Sequence, residues 1–245
     1  MEFQVLKFIA ACLLLACTTL QADQSPLRFA INDSWGMPMV RIEHDTAVEG
    51  ILVDLQRALA AKVGREAKLI VLPHMRVERA MDSGDIDVRC YVSPSWINAG
   101  HKRFIWTRPF MSQRDLLVST EPGSFKVEEL QRERIGTVLG FNYPRLQPLF
   151  ERGQLFREDT RTQDQALLKL RAGRYRYAIT NEHSLAWFNR HQTPEQRLFA
   201  QSVLATVPVS CIVRNEPDVP VLELLHAMEQ MAEEGRFDQI INEYR

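Results

Sequence analysis

Apolar side chains recur along this chain at two alternating spacings. Between residues 85 and 92 every second side chain is apolar, which is the period of a β-strand. Between residues 50 and 63 the apolar side chains lie on one face at helical spacing, and Gly64 follows as a stop. Because the two spacings keep exchanging after residue 27, the pattern predicts an α/β fold.

The predicted elements form two α/β series of roughly 90 residues each, the size of small domains, with turn residues at 121–124 between them. Strands are predicted at residues 27–31, 68–72, 85–92, 115–119, 134–139, 155–157, 177–180 and 203–213. Helices are predicted at residues 50–63, 75–81, 144–152 and 182–189, between the capping box at Thr162 and Gly173, and from Val219 onward. The helix after Val219 is expected to bury Leu222, Leu225, Met228 and Ala232.

Residues 1–22 have a different character, with Lys7, an apolar run at 8–17 and a polar stretch before Ala22. This layout predicts a secretory signal peptide cleaved after Ala22, because the run is only about half of the ~20 residues that span a bilayer. The alternative is processing before Cys17 to give a lipid-anchored N-terminus. Either route leads to the periplasm as the expected location.

The charge balance argues against nucleic acid or an anionic membrane as partners. Thirty Lys and Arg stand against thirty-one Asp and Glu, so the net charge is -1. The chain is 45% hydrophobic and 25% charged, an ordinary globular composition. The sequence has no metal-binding spacing such as Cys-x-x-Cys, and we expect no cofactor. A small, weakly charged ligand fits this balance best.

Two cysteines, Cys90 and Cys211, remain if the signal peptide is removed. An oxidising compartment permits a disulfide between them. The interpretation that we favour from the sequence is two separate, buried, small hydrophobic side chains, because the sequence gives no distance between them.

Several short strings, in order along nearly the whole mature chain, carry a family resemblance. They are Gly50-x-x-x-Asp54-Leu55, residues 83–87 (SGDID), residues 104–110 (FIWTRPF), residues 134–137 (RIGT), Leu170-x-x-Gly173-Arg174 and residues 235–241 (GRFDQII). Each string alone is weak, but their joint order resembles solute-binding protein family 3, whose members bind amino acids for ABC transporters.

The resemblance implies a two-lobed type II periplasmic-binding-protein fold with two crossing strands as a hinge. Lobe 1 would comprise residues 23–119 and 206–245, and lobe 2 residues 120–205. It further implies a monomeric binding protein without catalytic residues, which closes on a small-molecule ligand and serves an ABC permease in the inner membrane.

One candidate binding segment follows the strand predicted at residues 134–139. Gly140, Phe141, Asn142 and Tyr143 precede Pro144, which suits the first turn of a helix. Free N–H groups at a helix start bind carboxylate or phosphate. A plain helix start is the alternative, and the family resemblance, in which this loop faces the cleft, favours binding.

Other candidates follow strands in the first series. Trp35 comes after the first strand, where an indole could stack on a ligand, although core packing is the commoner role of an aromatic side chain. Tyr91, Ser93, Ser95 and Trp96 offer hydroxyls and aromatic faces at one strand end, or simply form an ordinary strand end with turn serines.

The remaining candidates are charged or amide side chains at strand ends. His74 and Arg76 follow Pro73, and Arg76 suits either an acidic ligand group or a solvated helix face. Asn181 and Glu182 end a strand of the second series, where Asn181 suits either ligand binding or a helix N-cap.

The chain departs from the family pattern at two positions. The arginine that clamps the α-carboxylate of amino acids is replaced by Gly100, and the aspartate for the α-ammonium is replaced by Asn181. Arg103 is a possible substitute for the arginine, or part of a basic surface turn. We therefore expect a neutral or differently charged metabolite at least as readily as a standard α-amino acid.

Two other classes of function stay open. One is an enzyme of the same fold, such as a prephenate or arogenate dehydratase, with His74, Glu182 and His183 as the candidate acids and bases. The other is an interaction module whose cleft has lost its ligand.

Overall fold

A computed structural model describes residues 25–97 and 104–245. The predicted signal peptide (residues 1–22), its cleavage after Ala22, the alternative lipidation of Cys17, and the positions of Gly100 and Arg103 lie outside the described residues. Within the described ranges no helix is long and apolar enough to cross a lipid bilayer.

The predicted exchange of strands and helices is confirmed. The strands are β1 (Leu27–Asn32), β2 (Arg41–Glu43), β3 (Thr46–Glu49), β4 (Ala67–Leu72), β5 (Val88–Val92), β6 (Phe104–Trp106), β7 (Met111–Ser119), β8 (Glu133–Val138), β9 (Leu155–Thr160), β10 (Tyr177–Asn181) and β11 (Phe199–Arg214). The helices are α1 (Ile51–Lys62), α2 (His74–Asp82), α3 (Gln147–Glu151), α4 (Gln163–Arg171), α5 (Glu182–Arg190), α6 (Val221–Glu233) and α7 (Arg236–Glu243).

One long strand connects the two halves of the sheet. The strand order is β4-β1-β5-β11-β7-β10-β8-β9, with β6 also paired to β11. The 16-residue β11 pairs with β7 over its first part and with β5 and β6 over its last part. In each half, consecutive β-α-β units give parallel pairs, β1 with β4 and β8 with β9. The halves are therefore two α/β lobes that share two long antiparallel strands, β7 and β11.

Each lobe buries side chains on both faces of its part of the sheet. In the first lobe Phe29 packs with α1, α6 and α7, whereas its neighbour Ala30 packs with α2 on the other face. In the second lobe Leu117 and Val118 likewise belong to cores on opposite faces. Because neighbouring strand residues point to opposite faces, each half-sheet needs helices on both sides. The division of the chain at residues 119/120 and 205/206 stays a prediction.

The expectation for the two cysteines was wrong. Cys90 on β5 and Cys211 on β11 form a disulfide between two adjacent strands. The sequence alone favours separate side chains, because Cys211 lies 121 residues after Cys90 and nothing local indicates that β5 and β11 are neighbours.

Two helix predictions also need correction. The helix expected at residues 144–152 begins only at Gln147, because the chain first turns at residues 144–146. In α6 the buried face comprises Leu224, Ala227, Met228 and Met231, whereas Leu222 is 78% exposed. Leu222 lies at the start of the helix, outside the stripe that faces α1.

Candidate functional site

A cavity of about 470 Å³ lies between the two lobes, a size that suits a small ligand. Eight of the thirteen predicted site residues line it. They are Trp35, His74, Tyr91, Trp96, Gly140, Phe141, Asn142 and Tyr143. The structure thus brings together residues that the chain separates by more than 100 positions.

The other five predicted residues lie outside this lining. Arg76 is exposed on α2, as expected for the alternative role of an arginine on a solvated helix face. The hydroxyls of Ser93 and Ser95 lie 3.2 Å apart and bond to each other. The amide of buried Asn181 caps α5 by accepting from the Ser184 N–H at 2.9 Å, and Glu182 pairs with Arg114. As ligand contacts these five stay untested predictions.

Nine lining residues were missed from the sequence. They are Met75, Glu78, Arg89, Gln113, Asp115, Gln147, Gln163, Ile179 and Thr180. Arg89 lies two positions before the predicted Tyr91 on β5, so the two-residue period of a strand is the signal that could have suggested it. Gln113 and Asp115 share a face of β7 in the same way, but the strand was expected to begin only at residue 115.

The loop at Gly140 is a close contact between lobes rather than a helix start. Gly140 has φ 78°, and a Cβ there would lie 2.6 Å from the sulfur of Met75 and 2.9 Å from Cδ2 of His74. Only glycine allows both this backbone conformation and this approach. Because α3 begins at Gln147 and has five residues, the expected N–H cluster for an anion at residues 140–144 does not form as a helix start.

His74 joins the lobes as a neutral imidazole with a fixed tautomer. The Asn32 Oδ1 accepts from the Ser34 N–H at 2.9 Å, so its Nδ2 faces the Nδ1 of His74 at 2.6 Å. The Nδ1 must therefore accept, and the Nε2–H donates to the Gly140 carbonyl at 3.1 Å. Burial, followed by the charge of Arg89, lowers the pKa of His74 and favours this neutral form.

A second set of contacts crosses the mouth of the cavity at the start of α4. The Gln163 N–H donates to the Ser34 carbonyl at 3.1 Å. A Cβ on Gly36 would lie 2.2 Å from the Asp164 carboxylate, so the two loops approach each other closely here. Together with the bond from His74 to Gly140, these contacts show the two lobes closed over the cavity.

Aromatic rings from both lobes meet inside the mouth. Trp35 contacts Tyr91 edge-on, with ring centroids 4.9 Å apart, and contacts Phe141 of the second lobe at 4.8 Å. Trp96 lies 6.0 Å from Tyr91. Such faces hold flat or aliphatic parts of a ligand and attract cations.

Three buried polar side chains in the lining have an atom without a hydrogen-bond partner in the described protein. They are the Tyr91 hydroxyl, the Gln113 carbonyl oxygen and the Thr180 hydroxyl. Their residues are only 2%, 4% and 1% exposed. Buried polar atoms are nearly always satisfied in folded proteins, and these three lie together in one cavity, where they can bond a polar group that enters it.

Two charged groups, Arg89 and Asp115, line the cavity beside the exposed Glu78. Burial lowers the pKa of the Arg89 guanidinium, and the charge of Glu78 only partly offsets this. Burial raises the pKa of Asp115 to about 6, although the hydrogen bond from Gln113 Nε2 at 2.5 Å lowers that pKa. Both shifts mean that each charged form lacks an adequate counter-charge in the protein.

We expect Asp115→Asn to stabilise the ligand-free protein by about 2 kcal/mol at pH 7. The folded-state pKa of Asp115 lies above its unfolded value, so burying the charged form costs stability at neutral pH. This cost disappears as the pH falls from about 6 to 4, so the two proteins should converge over that range. Urea unfolding at several pH values measures this, and an equal or lower stability of the variant at pH 7 contradicts it.

Of the candidate acids and bases for chemistry, only His74 lines the cavity. His183 and Glu182 lie outside the lining, with 3.9 Å between the His183 Nε2 and the Glu182 Oε1. Both nitrogens of His74 are engaged by protein groups. Within residues 25–97 and 104–245 no group of three or more His, Cys, Asp or Glu side chains is placed to hold a metal ion.

Comparison with known proteins identifies the fold. No protein-family model and no curated protein matches the chain. Among solved structures, an ancestral arginine-binding protein bound to arginine is 18% identical, covers 90% of this chain and 98% of that chain, and has a TM-score of 0.73. A histidine kinase sensor domain with similarity to periplasmic binding proteins is 19% identical, with coverages of 91% and 97% and a TM-score of 0.73.

The arginine-, lysine-, histidine-binding protein ArtJ from Geobacillus stearothermophilus is also similar. It is 15% identical, covers 90% of this chain and 95% of that chain, and has a TM-score of 0.72. At these identities the likeness concerns the fold, which is the two-lobed α/β fold of periplasmic binding proteins. The chains that share it here are binding proteins and a sensor domain.

Proposed function

We propose that this protein captures a small polar molecule in the cavity between its lobes, for uptake or sensing, without changing it chemically. The observation that carries the proposal is the set of three buried, unpaired polar atoms on Tyr91, Gln113 and Thr180 in one closed cavity. A ligand that bonds these atoms favours the closed state, because it gains contacts that only closure provides.

Export to the periplasm, a monomeric state and delivery to an ABC permease belong to the same proposal. The resemblance to solute-binding protein family 3 and the fold of the similar solved structures support them. We also propose that lobe 2 comprises residues 120–205 together with the last residues of β7, because Leu117 packs within the core of that lobe.

A thermal-shift panel of metabolites tests the proposal. A ligand at 100 times its Kd adds about 2.7 kcal/mol to stability, which raises the Tm by several degrees for a chain of this size. We expect hits among small polar molecules, and calorimetry should give their affinity. If no metabolite raises the Tm and none changes the small-angle scattering profile, the cavity does not capture solutes and an interaction module becomes the better hypothesis.

A pair of matched variants locates the binding. Thr180→Val removes an unpaired hydroxyl at nearly constant volume, so the ligand-free protein should be at least as stable, while a panel hit should bind about tenfold more weakly. Thr46→Val makes the same change at an exposed position of β3 and should leave binding unchanged. If the two variants change the affinity for the panel hit equally, the ligand binds elsewhere.

An enzyme of this fold remains the alternative because Asp115 has a raised pKa in the cavity, as many catalytic groups do. Incubation of the protein with prephenate, with product followed by absorbance, separates the two functions. Turnover that Asp115→Asn abolishes would replace capture by catalysis.

A further inference from the structure

Two oppositely charged side chains in the cavity lack protein partners that would neutralise them. The Arg89 guanidinium makes no hydrogen bond or salt bridge with any residue that the structure describes, and Glu78 acts on it only through its charge. The Asp115 carboxylate accepts one bond, from the neutral amide of Gln113, and no cationic side chain of the described residues pairs with it. Each of these groups is suited to a ligand group of opposite charge.

The two charged groups enter the cavity from well-separated places on the sheet. Arg89 on β5 lies opposite Ile212 of β11, whereas Asp115 on β7 lies opposite Ala205 of the same strand. These partners are seven positions apart, from 205 to 212, which is roughly 23 Å of extended chain. Side chains that reach toward each other shorten this span, and the charge of neither group shifts the pKa of the other.

Part of the remaining lining is apolar and suits the uncharged middle of a molecule. Trp35 lies between Tyr91 and Phe141, with ring centroids 4.9 and 4.8 Å away. Ile179 adds an aliphatic side chain to the same lining. Aromatic and aliphatic walls stabilise methylene groups or a ring by burial.

We propose that the ligand is an extended dipolar molecule, with an acid group bound by Arg89 and a distant amino group bound by Asp115. This inference rests on the proposed function and names its ligand class. An α-amino acid without a second charged group carries both charges on one carbon atom, so it reaches Arg89 or Asp115 but not both. A molecule with the two charges at opposite ends of a chain reaches both.

Calorimetry with a small set of probes tests the ligand class on the wild-type protein. The dipolar probes are γ-aminobutyrate, ε-aminocaproate and ω-aminocaprylate, which differ only in length. Norleucine is an isomer of ε-aminocaproate with the amine moved to the α-carbon, caproate lacks the amine, and hexylamine lacks the acid. We expect at least one dipolar probe to bind tenfold or more tightly than norleucine, caproate and hexylamine.

Variants then assign each end of the best dipolar probe. Arg89→Gln should weaken that probe at least tenfold but leave hexylamine unchanged, and Asp115→Asn should weaken it as much but leave caproate unchanged. General damage to the fold would not produce this crossed pattern. Arg79→Gln on the exposed part of α2 and Asp238→Asn on α7 are the matched controls, and both should bind like wild type.

The inference is overturned if norleucine, caproate or hexylamine binds as tightly as every dipolar probe. It is also overturned if no dipolar probe binds at all. If the metabolite panel nevertheless yields another ligand whose affinity falls in Thr180→Val, solute capture stands and only the ligand class is wrong. If neither the panel nor the probes give a ligand, the proposed function itself fails.

Discussion

Replacing both Cys90 and Cys211 with alanine is expected to lower the free energy of unfolding by about 4 kcal/mol. The disulfide closes a loop of 121 residues, so its loss greatly increases the conformational freedom of the unfolded chain. It also fixes β5 to β11 beside Tyr91, whose backbone has φ 62°, a conformation that a tyrosine rarely adopts. We therefore expect the variant to lose affinity for a cavity ligand as well as stability.

Urea unfolding with and without a reductant measures the effect. The wild-type protein should become as unstable as the double variant once its disulfide is reduced in the unfolded state, whereas the variant should not respond to the reductant. A double variant within about 1 kcal/mol of the oxidised wild type would show that the bond contributes little, against the loop-entropy expectation.

Asp87→Ala is the second substitution for which we expect a large loss, about 3 kcal/mol or more. Asp87 is 4% exposed, and its carboxylate accepts from the Arg28 Nε at 3.0 Å and from the Arg214 Nη2 at 2.8 Å. It therefore links the start of β1 to the end of β11. Removing the carboxylate leaves two guanidinium groups close together without their shared counter-charge. Asp87→Asn keeps an acceptor and should lose less.

The pH dependence distinguishes the ion pair from simple packing. Burial raises the pKa of Asp87, but the hydrogen bonds from Arg28 and Arg214 outweigh it and hold the pKa below its ordinary value. Stabilisation from a depressed carboxyl pKa is fully present above the ordinary value near 4 and is lost as the pH falls through the folded-state pKa. The stability gap between wild type and Asp87→Asn should therefore narrow below about pH 4, and a constant gap would exclude this cause.

The fold was predictable because each element carries its own local signal. The alternation in β5, the stripe in α1 and the capping residue Thr162 are all properties of short segments. The structure has these elements at the predicted places, except that β5 begins at Val88 instead of residue 85. The long strands were less visible. The first residues of β7 pair with β11 some 90 positions later, and nothing local marks Gln113 as part of a strand.

The cavity was predictable only in part, for the same reason. Residues such as Trp35 and Tyr91 lie at strand ends, where α/β proteins gather their binding groups. Arg89 and Asp115 lie inside strands, and only the packing of two distant strands against β11 shows that both reach one cavity. Asn181 shows a different limit, because a residue type that suits a ligand suits a helix N-cap equally well, and its amide caps α5.

The hydrogen bond between Ser34 and Gln163 joins main-chain atoms only, the carbonyl of one loop and an N–H that the first turn of α4 leaves free. Exchanging the side chain at either position leaves that bond in place, with proline at 163 as the exception. This main-chain contact between the lobes therefore does not depend on the side chains that line the cavity, unlike the bond from His74 to Gly140. Related proteins can therefore change their ligand through substitutions in the cavity lining, while this main-chain hydrogen bond at the entrance is retained.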